Sequence, residues 1–127
     1  MDKLKFIKEQ MDILAIPYEF GEWTSEAQYP YFVGEISEEP PTTEDGYESS
    51  TLLLTGFNRG TEGVYLGLEQ MKAIIKNHFH PIYGLRTTTE SGSIAVFYGG
   101  AFFIPTNEAD LKKIQINLII KEWKGEI

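Results

Sequence analysis

Leu4, Ile7, Met11 and Leu14 recur at the three- and four-residue spacing that puts side chains on one face of a helix, which predicts a helix over residues 2–15. Asp2 stands where a capping carboxylate belongs, and Pro17 lies past the end, where a helix cannot continue. "YEFGEW", residues 18–23, is a short strand candidate. Tyr29 to Ile36 alternates weakly and is rich in aromatic and β-branched residues, so it reads as a strand, with Pro30 suited to a first position or an edge. Glu48 to Phe57 is a clearer strand, with Leu52 and Leu54 facing one way and Leu53 and Phe57 the other. "NRGT", residues 58–61, is a turn into a second helix, with Thr61 as its cap. Val64, Leu68, Met71, Ile75 and Phe79 line one face of that helix to about residue 79, and Pro81 closes the region. Gly63 and Gly67 weaken its first turns by up to ~1 kcal/mol each relative to alanine, a cost that a close packing contact would justify.

The last third is patterned as β-structure. Leu85 to Thr89, the turn "ESGS" and Ile94 to Tyr98 form a hairpin. Gly99-Gly100 marks a bulge or bend, and Ala101 to Ile104 continues to Pro105. "LKKIQINLIIKEW" alternates cleanly: Ile114, Ile116, Leu118 and Ile120 face the core, while Lys113, Gln115, Asn117 and Lys121 face out. Ile119 and Trp123 share the outward phase. The order is α-β-β-β-α-β-β-β. It predicts an α+β fold, one domain over residues 1–127, with a mostly antiparallel or mixed sheet and both helices on one face.

Composition narrows the class. A chain of 127 residues is most simply one domain and can bury roughly two thirds of its unfolded surface. Its 42% hydrophobic content and 17 aromatic residues argue for a folded globule. The absence of cysteine removes disulfides, thiol nucleophiles and thiolate metal sites together. The first residues mix charges through their apolar positions, unlike a secretory signal, and no run approaches the ~20 apolar residues of a membrane span. The expectation is a soluble protein, intracellular at synthesis.

Charge changes the picture more. The net charge is −8, and it is polarised along the chain. From Glu9 to Asn58 there are eleven acids and no Lys or Arg, while the rest holds all eleven bases against eight acids. The acidic half is unsuited to phosphate backbones, but the two halves can pair between copies. In the middle of the acidic half, residues 38–47 form a long connection between two strands, with Glu38, Glu39, Glu44 and Asp45 around a Pro-Pro step.

No motif in the chain asks for an enzyme, a metal or a cofactor. His78 and His80 flank Phe79 at a helix end, where i and i+2 side chains diverge. The acidic connection lacks the alternate acids and sixth-position glycine of a calcium loop. "GFNRG" and "FYGGAF" lack the glycine spacing and lysine of a phosphate loop, and Ser91-Gly92-Ser93 is a turn, not a nucleophile elbow. Trp23 and Trp123 are either edges of the core or anchors of an interface, and the outward phase of Trp123 makes it the stronger anchor candidate.

The series "YPYFVGE", "TEDGYESSTLLLTGFNRG", "SGSIAVFYGGAFFIPT" and "LKKIQINLIIKEW" resembles small prophage proteins of Gram-positive bacteria, of the tail-terminator and tail-completion kind that includes the lambda gpU type. The likeness spans roughly residues 29–124. It implies a virion structural protein that assembles with itself into a ring at the tail end, with other tail or neck proteins as partners and no catalytic residues. It implies that Glu38 to Tyr47 is a mobile arm at the ring interface or lumen, that DNA passes through the ring without sequence-specific binding, and that the protein is found in the host cytoplasm and then in the virion tail. Residue chemistry then supplies the interface candidates: Glu38, Glu39, Glu44 and Asp45 on the acidic side, with Arg59, Arg86, Lys112, Lys113, Lys121 and Lys124 opposite, and Ile119 and Trp123 as apolar anchors. Two other classes remain open: an acidic inhibitor or DNA mimic, and a small-ligand domain with an aromatic pocket from Tyr29, Tyr31, Phe97 and Tyr98.

Overall fold

The computed structural model describes residues 2–22, 29–38, 47–60, 63–89 and 92–124. In chain order the elements are α1 (Asp2–Ile13), β1 (Tyr18–Phe20), β2 (Tyr31–Glu38), β3 (Tyr47–Arg59), α2 (Val64–His78), β4 (Leu85–Thr89), β5 (Gly92–Ile104) and β6 (Leu111–Lys124). The six strands form one sheet in the order β1-β2-β3-β6-β5-β4. β1 runs parallel to β2, and every other neighbouring pair is antiparallel, so the fold is α+β with a mixed sheet, as the pattern of elements predicts.

The two central strands are the longest-paired. β3 and β6 are in register from Tyr47↔Trp123 to Arg59↔Leu111 without a break. Their even-numbered residues Leu52, Leu54, Ile114, Ile116, Leu118 and Ile120 are fully buried and form one core with Phe6, Ile7 and Met11 of α1 and Leu68 and Ile75 of α2. Both helices therefore cover the same face. The hydrophobic stripes of α1 and α2 find their partner in the alternation of β6, and burial of this surface is the main stabilising term.

Local chemistry explains the element ends. α1 stops at Ile13, two residues before the predicted end. Ala15 adopts a left-handed φ of 56°, Ala15 N–H donates to the Asp12 carbonyl, and Ile16 N–H donates to the Met11 carbonyl. That pair of bonds is a Schellman closure, built on alanine where glycine is usual. β1 ends at Phe20, shorter than expected, and Trp23 lies outside the described residues. Thr61, expected to cap α2, is also outside them; the residue described at the helix start is Gly63, with φ 65°. Gly67 has the close contact its cost implies: a Cβ there would lie 2.6 Å from the Asn58 amide nitrogen, which donates to the Val64 carbonyl at 3.0 Å.

β5 continues through the two glycines to Ile104, as expected. The Gly99-Gly100 step is a bulge, with the register to β6 shifting between Tyr98 and Ala101. β4 pairs with β5 from Leu85↔Val96 to Thr89↔Gly92, the hairpin expected there. Tyr98 N–H donates to the Phe79 carbonyl at 2.9 Å, which ties the end of α2 to the strand just before the bulge.

Candidate assembly surface

The face of the sheet opposite the helices is covered by no described element. Alternation sends the odd residues of β2, β3 and β6 to this side, so Tyr31, Val33, Leu53, Phe57 and Ile119 stand there, and β5 adds Phe97. Cations lie across the aromatic rings. Lys113 Nζ is 5.4 Å from the Phe57 ring centre, Lys121 Nζ is 5.5 Å from that of Phe97, and the Arg86 guanidinium reaches Phe97 at 5.8 Å. Such contacts hold the charge over apolar surface at ~0.5–1 kcal/mol each in exposed settings. Tyr31 stacks on Phe57 at 5.1 Å, and Tyr29 leans on Tyr31 at 5.5 Å. Ile119 is 36% exposed in the middle of the face. A hollow of about 180 Å³ opens between Arg86, Ser93, Ile94, Ala95 and Trp123.

One end of this face is closed by an ion cluster. Arg59 donates to Glu108 at 2.6 Å and to Asp110 at 2.8 Å, and its guanidinium lies over Tyr29 at 5.8 Å. The hydrogen bonds that Arg59 donates to Tyr29, Glu108 and Asp110 hold it firmly charged, and its bond keeps the Asp110 carboxyl below its usual range. Arg59 is thus compensated within its own chain, unlike a cation held in reserve for a partner.

The predicted site residues divide accordingly. Arg86, Lys113, Ile119, Lys121 and Trp123 come together on the open face. Arg59 is at its rim. Lys112, on the opposite phase, lies over Tyr65 of α2 at 4.9 Å, and the side chain of Lys124 is outside the described residues. Glu39, Glu44 and Asp45 are also outside them, as is the greater part of the predicted arm. Glu38, at the end of β2, faces the helix side, where Lys3 contacts it at 3.4 Å and contacts Glu122 at 3.2 Å.

Sequence reasoning missed Lys3. Its side chain is only 8% exposed, an ammonium buried at the start of α1 and held by two carboxylates from the ends of β2 and β6. Its position four residues before Ile7, on the buried stripe, is the signal that was there to find.

The remaining titratable groups have local partners. His78 Nε2 is 2.7 Å from the Gln10 side-chain oxygen, bridging α2 to α1, and partial burial lowers its pKa. His80 Nδ1 accepts from the backbone N–H groups of Ile82 and Tyr83 at 3.1 Å each. Among the described residues no group of three His, Asp or Glu is placed to hold a metal ion. The aromatic set proposed for a ligand pocket does not converge. Phe97 faces the open side, its neighbour Tyr98 faces the helices beneath Lys76, and Tyr29 and Tyr31 belong to the Arg59 end. No helix is long and apolar enough to cross a membrane among the described residues. The chain matches no protein-family model and no curated protein sequence.

Proposed function

We propose that this chain is a phage or prophage virion protein of the tail-terminator, tail-completion or head-tail joining type, which acts by assembling with copies of itself into a ring at the tail end. The reading joins a resemblance in sequence to one structural observation: the outward residues Lys113, Ile119, Lys121 and Trp123 of β6 share one uncovered face with Arg86 of β4. The face carries Arg86, Lys113 and Lys121 together with Glu19 and Glu35 among its apolar residues, a mixture that suits contact with another copy of this chain. In this role the protein works in the host cytoplasm during assembly and stays in the virion tail.

Native mass spectrometry over a concentration series, followed by electron microscopy with purified tail tubes, tests the role. Closed rings that seat on tube ends are the expected outcome. A chain that neither associates nor binds tubes or neck proteins, but captures a basic host protein, sinks it in favour of the acidic-inhibitor class.

A further inference from the structure

We propose that a hollow at the end of α2 binds a carboxylate carried beside an apolar side chain on another protein's chain, either an acidic residue or a free C-terminus. The site belongs to the exposed side of α2, not to the open face, and does not depend on the self-assembly reading.

The backbone after α2 is tied to one histidine. Ile82 and Tyr83 N–H donate to His80 Nδ1 at 3.1 Å each, and Gly84 N–H donates to the His80 carbonyl at 2.9 Å. The His80 ring stacks on the Tyr83 ring at 4.6 Å. Gly84 takes a left-handed φ of 67° against the Phe97 ring, where a Cβ would lie 2.6 Å away. This closed turn displays Ile82 at 73% exposure and Tyr83 at 72%. Two large apolar side chains held in one arrangement lose little freedom when a partner covers them.

The same bonds place the histidine's proton. Nδ1 accepts, so the ring hydrogen is on Nε2. His80 lines a hollow of about 310 Å³ together with Ala73, Lys76, Asn77 and Pro81. Among the described residues the Lys76 ammonium, the Asn77 amide and His80 Nε2 have no hydrogen-bond partner, and Lys76 lies over the Tyr98 ring at 5.8 Å. No acid lines the hollow, and Glu69, the acid of α2, is held by Lys72 at 2.8 Å. Lys76 and the Nε2–H can only donate, so an acceptor satisfies them, and the full charge of Lys76 favours an anionic one. The end of α2 opposes an anion with only about half a charge. Ala73 and Pro81 in the hollow, with Tyr83 against the His80 ring, call for hydrocarbon beside the anion.

A lipid surface is the other partner that an exposed Ile-Tyr tip beside a base could meet. It is disfavoured here, because the donors line a concave site and the chain as a whole is at −8.

Titration of the isotope-labelled full-length chain, followed by amide NMR at neutral pH, tests the site. N-acetyl-leucine, a carboxylate beside a branched side chain, should shift the amides from Lys76 to Gly84 saturably, with a Kd of about 1 mM. N-acetyl-leucine amide, which lacks the charge, should bind about tenfold more weakly or worse, and so should N-acetyl-leucine to Lys76→Met, a change at an exposed helix position. His80→Asn keeps an acceptor near the Nδ1 position and loses the Nε2–H, so binding should fall about threefold or more. Binding of capped acetyl-Leu-Glu-Leu-amide as well supports an internal acid as the source; binding of N-acetyl-leucine alone supports a free C-terminus. No saturable shift with either carboxylate overturns the proposal, as does equal binding of the amide or undiminished binding by Lys76→Met. Inorganic phosphate that binds as well as N-acetyl-leucine, and equally in I82A/Y83A, means an adventitious ion only and overturns it too. Sedimentation with phosphatidylglycerol vesicles that is lost in I82A/Y83A overturns it in favour of a lipid surface.

Discussion

Lys3 offers the sharpest test of how this fold is held together. Its ammonium is 3.2 Å from Glu122 and 3.4 Å from Glu38, and its side chain is 8% exposed against 27% and 61% for the two acids. The three groups are therefore unequal. Removing the lysine leaves two carboxylates that still reach water, so Lys3→Met should cost only about 1 kcal/mol or less. Removing both carboxylates leaves a cation that water hardly reaches. E38Q/E122Q should cost about 3 kcal/mol, at the lower end of what stranding a buried charge costs, since amide oxygens remain as acceptors. The triple variant K3M/E38Q/E122Q should regain most of that loss, because it no longer buries a charge. Against a total of roughly 5–15 kcal/mol for a domain, the double variant is easily resolved. Urea unfolding followed by far-ultraviolet circular dichroism at neutral pH, on dilute protein, measures all four chains. A double variant no less stable than K3M, or a triple variant as unstable as the double, would refute the argument that the buried ammonium dominates this corner.

Other positions give independent checks. Ala15→Gly relieves a left-handed alanine in the closure of α1 and should stabilise by about 0.5–1 kcal/mol in the same unfolding assay, after the greater chain entropy of glycine is subtracted. Tyr18→Phe removes a buried hydroxyl that has no hydrogen-bond partner among the described residues, so it should be neutral or stabilising by up to about 1 kcal/mol; in the wild type burial pushes this phenol up to about 12, so its share of stability is lost as pH rises from about 10 through 12. Gly56→Ala drives a methyl into the Phe32 ring, which is fully buried on the helix side, and should cost about 1–3 kcal/mol by thermal or urea unfolding. His78 should titrate below the ordinary histidine value of about 6.5 in a proton NMR titration; the folded state disfavours its cation, so stability is full above that value and falls as pH drops through the lower folded pKa, a dependence that H78Q should remove.

The strength of each periodic signal decided how well the elements could be read in advance. β6 repeats apolar and polar residues strictly, and its inward Ile114, Ile116, Leu118 and Ile120 are fully buried as the alternation requires. α2 was equally legible, because its stripe runs from Val64 to Phe79. β1 was not. Three residues carry no period, and its parallel pairing with β2 depends on Tyr18 meeting Phe32, a contact between segments that no local pattern announces. The end of α1 was misplaced because the stripe includes Leu14, while the closure turns on a left-handed alanine, which composition does not reveal.

The same contrast governs the candidate surface. That Lys113, Ile119, Lys121 and Trp123 share a side follows from alternation within β6 alone. That Arg86 and Phe97 join them follows only from strand order, since β5 lies between β6 and β4 and pairs Arg86 with Ala95 and Lys121 with Ala95 in turn. Arg59 shows the converse. It belongs to the odd residues of β3 and reads as one more outward base, yet the chain returns Glu108 and Asp110 to it from the turn before β6. Charge along the sequence therefore overstates the basic potential of the surface at the Arg59 end and states it fairly at the Arg86 end. If self-assembly uses this face, the difference is decisive for where an acidic partner sits. The pull on it should come from the Arg86 end, where Arg86 and Lys121 both lie over the Phe97 ring.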